Sequence, residues 1–252
     1  MSHVRTWSGA AYDRLSGPMA EMGLEVLERL PLRGDETVLD AGCGSGRVTE
    51  ALAARLEHGR VIGVDASASM IQAARERLGD RAELRVADLT ALDLGPERVD
   101  AVLSTATFHW IADHDALFAA LRRALRDGGR LVAQCGGRGN IASLHAVAEA
   151  VLAEEPFAAH VADWRRPWHF AGPEETEARL RAAGFAEAHA WLEPRPVTPD
   201  DARAFVAEVN LGAHLQQLPD ALREPFLDAA LARLGGPPVT IDYVRLNIDA
   251  IA

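Results

Sequence analysis

Nothing in this chain narrows the possible folds as much as Val38-Leu39-Asp40-Ala41-Gly42-Cys43-Gly44-Ser45-Gly46, an apolar run that breaks into three alternating glycines and resumes as a helical pattern near Arg47. Glycines there let the backbone turn tightly at the end of a strand and let a ligand approach the main chain closely. The free amides at the start of the next helix favour electron-rich ligand atoms. A strand, turn and helix of this kind belong to a sheet whose strands are joined by crossover helices, and the following sequence agrees. From Glu36 onward, apolar β-branched runs alternate with amphipathic stretches, which predicts parallel strands over 37–40, 60–65, 83–87, 100–104 and 130–134.

The flanks have a different rhythm. Residues 1–34 carry Tyr12, Leu15, Met19, Met22, Val26, Leu27 and Leu30 at mostly helical spacing, ending at Pro31 and Gly34, so a helical segment packed on the core is expected there. The core proper spans 35–136. Within 137–252 the chain supplies an Ala-rich helix near 141–154, the aromatic stretch Trp164-Arg165-Arg166-Pro167-Trp168-His169-Phe170, a helix over 173–183, a strand over 187–193, two more helices and a closing strand within 239–251. These are expected to complete a single domain, with helical cap insertions at 137–184 and 195–236 lying over a pocket.

Of the 252 residues, 48% are hydrophobic and 25% charged, ordinary values for a globular protein with a sizeable core. The net charge of −11 repels a phosphate backbone, and the densest basic run, around Arg122, Arg123 and Arg126, is spread around a helix, so no nucleic-acid partner is expected. Two cysteines, Cys43 and Cys135, fall at buried strand ends and fit neither a disulfide framework nor a zinc pattern. No stretch approaches the run of roughly 18 apolar residues needed to cross a bilayer. The expectation is a soluble cytoplasmic protein with no metal and no membrane partner.

Asp65 ends the second strand roughly twenty residues beyond the first glycine of the turn, where a carboxylate can accept hydrogen bonds from both hydroxyls of a ribose. A nucleoside is therefore implied. A dinucleotide would need a third glycine where Arg47 stands, and its pyrophosphate would lie against Asp40. Two like charges about 4 Å apart at an effective dielectric near 20 repel by roughly 4 kcal/mol. The site accordingly prefers a cofactor without phosphate and with a cationic end; S-adenosyl-L-methionine has an ammonium, a sulfonium and a ribose.

The segment from Val38 to Gly46 resembles the glycine-rich first motif of the class I S-adenosylmethionine-dependent methyltransferases. Val64-Asp65-Ala66-Ser67 with Met70 is similar to the second motif of that family, and Ala87-Asp88-Leu89 to its third. The resemblance implies a Rossmann-like α/β fold: a seven-stranded, mostly parallel sheet with an antiparallel last strand and helices on both faces. It also implies Asp65 on the ribose, Ala66 and Met70 near the adenine, and Asp88 at the adenine amino group flanked by Ala87 and Leu89. Asp40, Gly42, Gly44 and Thr105 complete the expected cofactor contacts.

The fourth strand ends in Ser104-Thr105-Ala106-Thr107-Phe108-His109-Trp110 at the carboxyl edge of the sheet, where ligands of parallel sheets bind. This stretch resembles the trans-aconitate methyltransferase-like, type 11 small-molecule branch of the family. Methyl transfer is an in-line displacement, so the protein mainly aligns an acceptor and excludes water. A carboxylate acceptor needs no base, whereas a phenol or amine benefits from one, for which His109 is the candidate; a packed sheet-edge histidine is the alternative. Trp7, Tyr12, Trp110, Arg138, Trp164 and Trp168 are the other expected substrate contacts. The function expected is methyl transfer to a small molecule, O-methylation of a carboxylate or hydroxyl. The alternatives are an NAD(P)-dependent oxidoreductase and a non-catalytic S-adenosylmethionine-binding module.

Overall fold

The computed structural model describes residues 17–236 and 238–252, so the contacts expected of Trp7 and Tyr12 lie outside the described residues. Along the chain run α1 (Gly17–Glu28), β1 (Thr37–Ala41), α2 (Arg47–Ala54), β2 (Arg60–Asp65), α3 (Ala68–Leu78), β3 (Glu83–Val86), β4 (Val99–Thr105), α4 (His114–Ala124) and β5 (Leu125–Gly136). Then follow α5 (Ala142–Leu152), α6 (Pro173–Ala182), β6 (Glu187–Pro194), α7 (Ala202–Phe205), a π-helical turn over Val206–Asn210, α8 (Gly212–Leu215), α9 (Asp220–Arg233) and β7 (Val244–Ile251).

The strands form one seven-stranded sheet in the order β3-β2-β1-β4-β5-β7-β6. All neighbours are parallel up to β5, and β7 runs antiparallel to both β5 and β6. This is the Rossmann-like, seven-stranded arrangement that the family resemblance implied, with the parallel strands that the strand–helix alternation predicted. Successive side chains of a strand point to opposite faces, and here both faces are dry. On one, Leu39, Ile62, Val102 and Leu131 pack with Leu117, Phe118 and Leu121 of α4 and Leu180 of α6. On the other, Val38, Val61, Leu103 and Val132 pack with Val26 and Leu27 of α1 and Leu52 of α2.

A third cluster lies off the sheet and joins Met22 of α1, Leu144 and Val151 of α5, Phe157, Phe205, and Phe226 of α9. It draws on the regions expected to form the cap, with one difference. α6 packs along β6 and buries Leu180 with the sheet, so 173–182 belongs with the sheet's own helices. Other differences are local. β5 begins at Leu125 because that residue already pairs with Val99 across an irregularity in the β4–β5 ladder. The closing strand is shorter than 239–251: Ile241 makes a single bridge to Val197, and the continuous ladder begins only at Val244. The first helix after β6 is broken into α7, the π turn and α8. Among the described residues no helix is long and apolar enough to cross a membrane.

Candidate functional site

A cavity of about 1660 Å³ opens along the carboxyl ends of β1, β2 and β4 and runs beneath the cap. Small-molecule pockets usually enclose about 300–1,000 Å³, so this one has room for two ligands side by side. Its two halves differ in chemistry.

The first half is built on the glycine turn. After β1 the amides of Gly42 and Cys43 both donate to the Val64 carbonyl (2.7 and 3.0 Å), which carries the chain across the top of β2. Gly42 has φ +87°, and a Cβ there would lie 2.1 Å from Thr107 Oγ1; only glycine fits between the turn and the end of β4. Gly44, φ +53°, has the opposite surroundings: a Cβ would meet nothing within 4 Å, so its backbone borders open space in the cavity wall. Asp65, at the end of β2, accepts from the Gly44 amide through Oδ2 (3.0 Å) and from the Ser67 amide through Oδ1 (2.8 Å). Burial raises its pKa, opposed by those two amides. Each carboxylate oxygen has acceptor capacity left, so Asp65 can hold the turn and still receive ligand hydroxyls.

Beyond Asp65 the wall continues through Ala66, Met70, Ala87, Asp88 and Leu89, and on the β4 side through Thr105. Ser67 caps α3 by accepting from the Met70 amide (3.4 Å), which sets Met70 in the wall. Asp88 caps the short 3-10 turn Leu89–Ala91, its Oδ1 accepting from the amide and hydroxyl of Thr90 (2.9 and 2.8 Å). Val86 also lines the cavity and is 51% exposed, an apolar face at the end of β3. Sequence reasoning passed over it because β3 reads as an ordinary buried strand.

The second half is lined by aromatic, histidine and arginine side chains. His109, in the 3-10 turn Phe108–Trp110, is fixed from several sides: its carbonyl accepts from the His169 amide (2.7 Å), and its ring stacks on Phe170 (5.8 Å between centroids). The Gly136 amide donates to Nδ1 at 3.2 Å. Burial, the Arg245 charge and His114 all push the His109 pKa well down, so the ring is neutral. A neutral imidazole that accepts at Nδ1 carries its proton on Nε2. His109 lines the cavity, and with its basic nitrogen held by the Gly136 amide, Nε2–H is the ring group left to serve as a donor there. Trp110, Trp164 and Trp168 line the same half, together with His145 and Arg245.

Two expected contacts lie elsewhere. Asp40 is 1% exposed and not in the cavity wall: Oδ2 accepts from Thr49 Oγ1 of α2 (2.7 Å), and Oδ1 is sealed without a hydrogen bond. Burial, with the Asp65 charge adding to it, pushes the Asp40 carboxyl up to about 6. Its visible role is to tie the end of β1 to α2 beneath the turn. Arg138 is exposed, lies 3.7 Å from both Glu174 and Glu175, and is likewise absent from the wall.

Sequence reasoning also missed Arg245, 3% exposed on β7, whose Nε donates to Gln134 (3.3 Å); Gln134 in turn donates to Asn247 (2.9 Å). The one cation of the closing strand, alternating with apolar residues on the same face as Asn247 and Asp249, was the available signal. Both cysteines are free, and burial raises their thiols, so neither supplies a thiolate. Among the described residues no group of His, Cys, Asp and Glu is placed to hold a metal.

Comparison with known proteins gives one consistent result. Residues 39–133 match the family model described as "Methyltransferase domain". The chain is 33% identical to a trans-aconitate 2-methyltransferase of Paracidovorax citrulli over 96% of its own length and 95% of that protein's. It is also 33% identical to one of Methylobacterium radiotolerans, covering 92% and 91%. Among solved structures, Haemonchus contortus phosphoethanolamine N-methyltransferase 2 in complex with S-adenosyl-L-methionine superposes with a TM-score of 0.61 at 22% identity, over 96% of this chain and 56% of that one. The [4+2]-cyclase SpnF superposes at 0.58 and 20% identity, over 92% and 80%; both structures share the fold.

Proposed function

This chain belongs to the class I S-adenosylmethionine-dependent methyltransferases, and from that premise we propose that it methylates a carboxylate oxygen of a small organic acid. Membership sets aside the nicotinamide-dependent and non-catalytic alternatives. The residues present fit S-adenosylmethionine, which is consumed as a substrate and supplies an electrophilic methyl on a sulfonium. Gly44 borders open space, Asp65 keeps acceptor capacity for ribose hydroxyls, and Val86, Met70 and Asp88 line the region suited to the base.

The observation that carries the choice of acceptor is the setting of His109. A phenol or amine must lose a proton as it is methylated, and His109, the best placed base, has its lone pair on the Gly136 amide. A carboxylate has no proton to lose. Its oxygen forms the new O–C bond as the methyl–sulfur bond breaks, the electron pair returning to sulfur. An anion and a cation become a neutral ester and a neutral thioether, a discharge that a cavity shielded from water favours. His109 Nε2–H and the buried Arg245 supply a donor and a positive charge with which to orient the anion. The names of the relatives point the same way, since trans-aconitate is a carboxylate.

The test is formation of S-adenosylhomocysteine with matched panels of carboxylic acids, phenols and amines, followed by a pH profile on the best acid. Turnover is expected with acids alone, with kcat flat from about pH 6 to 9, because the acceptor is already ionised and His109 stays neutral. Turnover of phenols or amines with a rising limb in the histidine range would overturn the reading.

A further inference from the structure

The acceptor half of the cavity is specific in shape as well as in charge. Trp168 forms a flat floor: His145 stacks against it at 4.7 Å and 23°, while Trp110 and Trp164 stand nearly upright to it, at 85° and 74°, with centroids 6.3 and 5.8 Å away. A flat floor between upright aromatic walls suits a planar π-system, which gains face contact below and edge contact at the sides. Phe170 connects this floor to the acid end, its ring 6.4 Å from Trp168 and 5.8 Å from His109.

At the acid end the described residues supply one buried cation. Among the described residues, the arginines that line the cavity are Arg47, Arg165, Arg166 and Arg245, and of these Arg245 alone is buried. Arg165 and Arg166 are exposed, and Arg166 is paired with Glu149 at 2.7 Å. Arg245 stands opposite Gly136 in the β5–β7 register, and the Gly136 amide is the one that holds His109. The guanidinium and the His109 donor thus flank the same strand end. Among the described residues the wall also carries the exposed acids Asp113 and Asp163, which offset the exposed Arg165 and Arg166 and disfavour a second carboxylate.

Resting on the carboxyl-methylation reading, we propose that the acceptor is a planar aromatic or conjugated monocarboxylic acid. Its carboxylate lies by Arg245 and His109 and its ring on Trp168. It differs in class from the tricarboxylate named for the relatives.

The test measures both binding and turnover on the full chain with trans-cinnamate, hexanoate and trans-aconitate. Titration of the S-adenosylhomocysteine-loaded protein is expected to quench tryptophan fluorescence with trans-cinnamate, at an affinity at least tenfold above that for hexanoate or trans-aconitate. The order of kcat/KM with S-adenosylmethionine should be the same. Trp168→Ala should remove the preference for trans-cinnamate over hexanoate, and Trp164→Leu should reduce it; retained calorimetric binding of S-adenosylhomocysteine certifies that each variant is folded. Preference for trans-aconitate or hexanoate, or an undiminished aryl preference in folded Trp168→Ala, overturns this inference and leaves carboxyl methylation standing. Failure of all three acids, with phenols or amines turned over, overturns both.

Discussion

Replacing Gly42 by alanine puts two separable stresses on the turn. The first is conformational: at φ +87° a β-carbon costs roughly 1–2 kcal/mol. The second is steric, since the new methyl would sit 2.1, 2.3 and 2.6 Å from Oγ1, Cγ2 and Cβ of Thr107. Thr107 is not free to swing away, because its hydroxyl is engaged with the carbonyls of Thr105 (3.0 Å) and Gly42 (3.2 Å). Overpacking of this kind typically costs about 1–3 kcal/mol. The sum is about 3 kcal/mol, and at roughly 2–4 °C per kcal/mol for a chain of this size the apo protein should melt about 6–12 °C lower. Calorimetry of Gly42→Ala, Thr107→Ala and the double variant separates the parts. The double variant should recover the steric share and keep the conformational one, so the cycle shows a coupling of at least about 1 kcal/mol. A Gly42→Ala protein that melts within about 2 °C of wild type, or a cycle with no coupling, would refute the reasoning.

The two acids of the turn give further predictions. Because burial raises the Asp40 carboxyl from 3.8 to about 6, the folded state binds the proton more tightly than the unfolded chain does. The stability from that proton is fully present below pH 3.8 and is lost as pH rises through about 6, an effect of about 3 kcal/mol. Asp40→Asn mimics the neutral form, so urea unfolding should show the variant gaining on wild type by about that amount between pH 4 and 7; parallel curves would show that Asp40 ionises normally. Asp65→Asn replaces one of two oxygens, each already holding a backbone amide, with a donor. Affinity for S-adenosylhomocysteine should fall tenfold or more, and the apo melting temperature should drop as well. Unchanged calorimetric affinity would remove Asp65 from the nucleoside site.

Four of the parallel strands, β1, β2, β4 and β5, were legible because each carries a short apolar run buried against helices, and the half of the cavity built on the glycine turn was legible because it is made of local sequence: turn, strand end, helix start. Asp65, Met70 and Leu89 reach the cavity through the backbone that carries them. Residues whose placement depends on distant contacts were not legible in this way. Asp40 reads as a turn acid, yet Thr49 of α2 draws its carboxylate beneath the turn. Arg138 is adjacent in sequence to a strand end that faces the cavity, but the acids at the start of α6 hold it outside. His109 was found by position, whereas its role depends on an amide 27 residues away. Arg245 reaches the cavity only because β7 is inserted beside β5, a pairing that no local pattern specifies.

That insertion also orders the assembly of the protein. β6 precedes β7 in the chain but pairs with no other strand, so until β7 enters between β5 and β6, one edge of the sheet stays open and β6 has no ladder to join. During vectorial synthesis the strands β1 to β5 and the glycine turn can therefore consolidate early, and the half of the cavity built on that turn can exist before Arg245 is in place beside the other half. A nascent or truncated chain lacking β7 would hold the glycine turn and Asp65 without Arg245. If Arg245 orients the acceptor as proposed, selectivity is acquired only once β7 has entered the sheet.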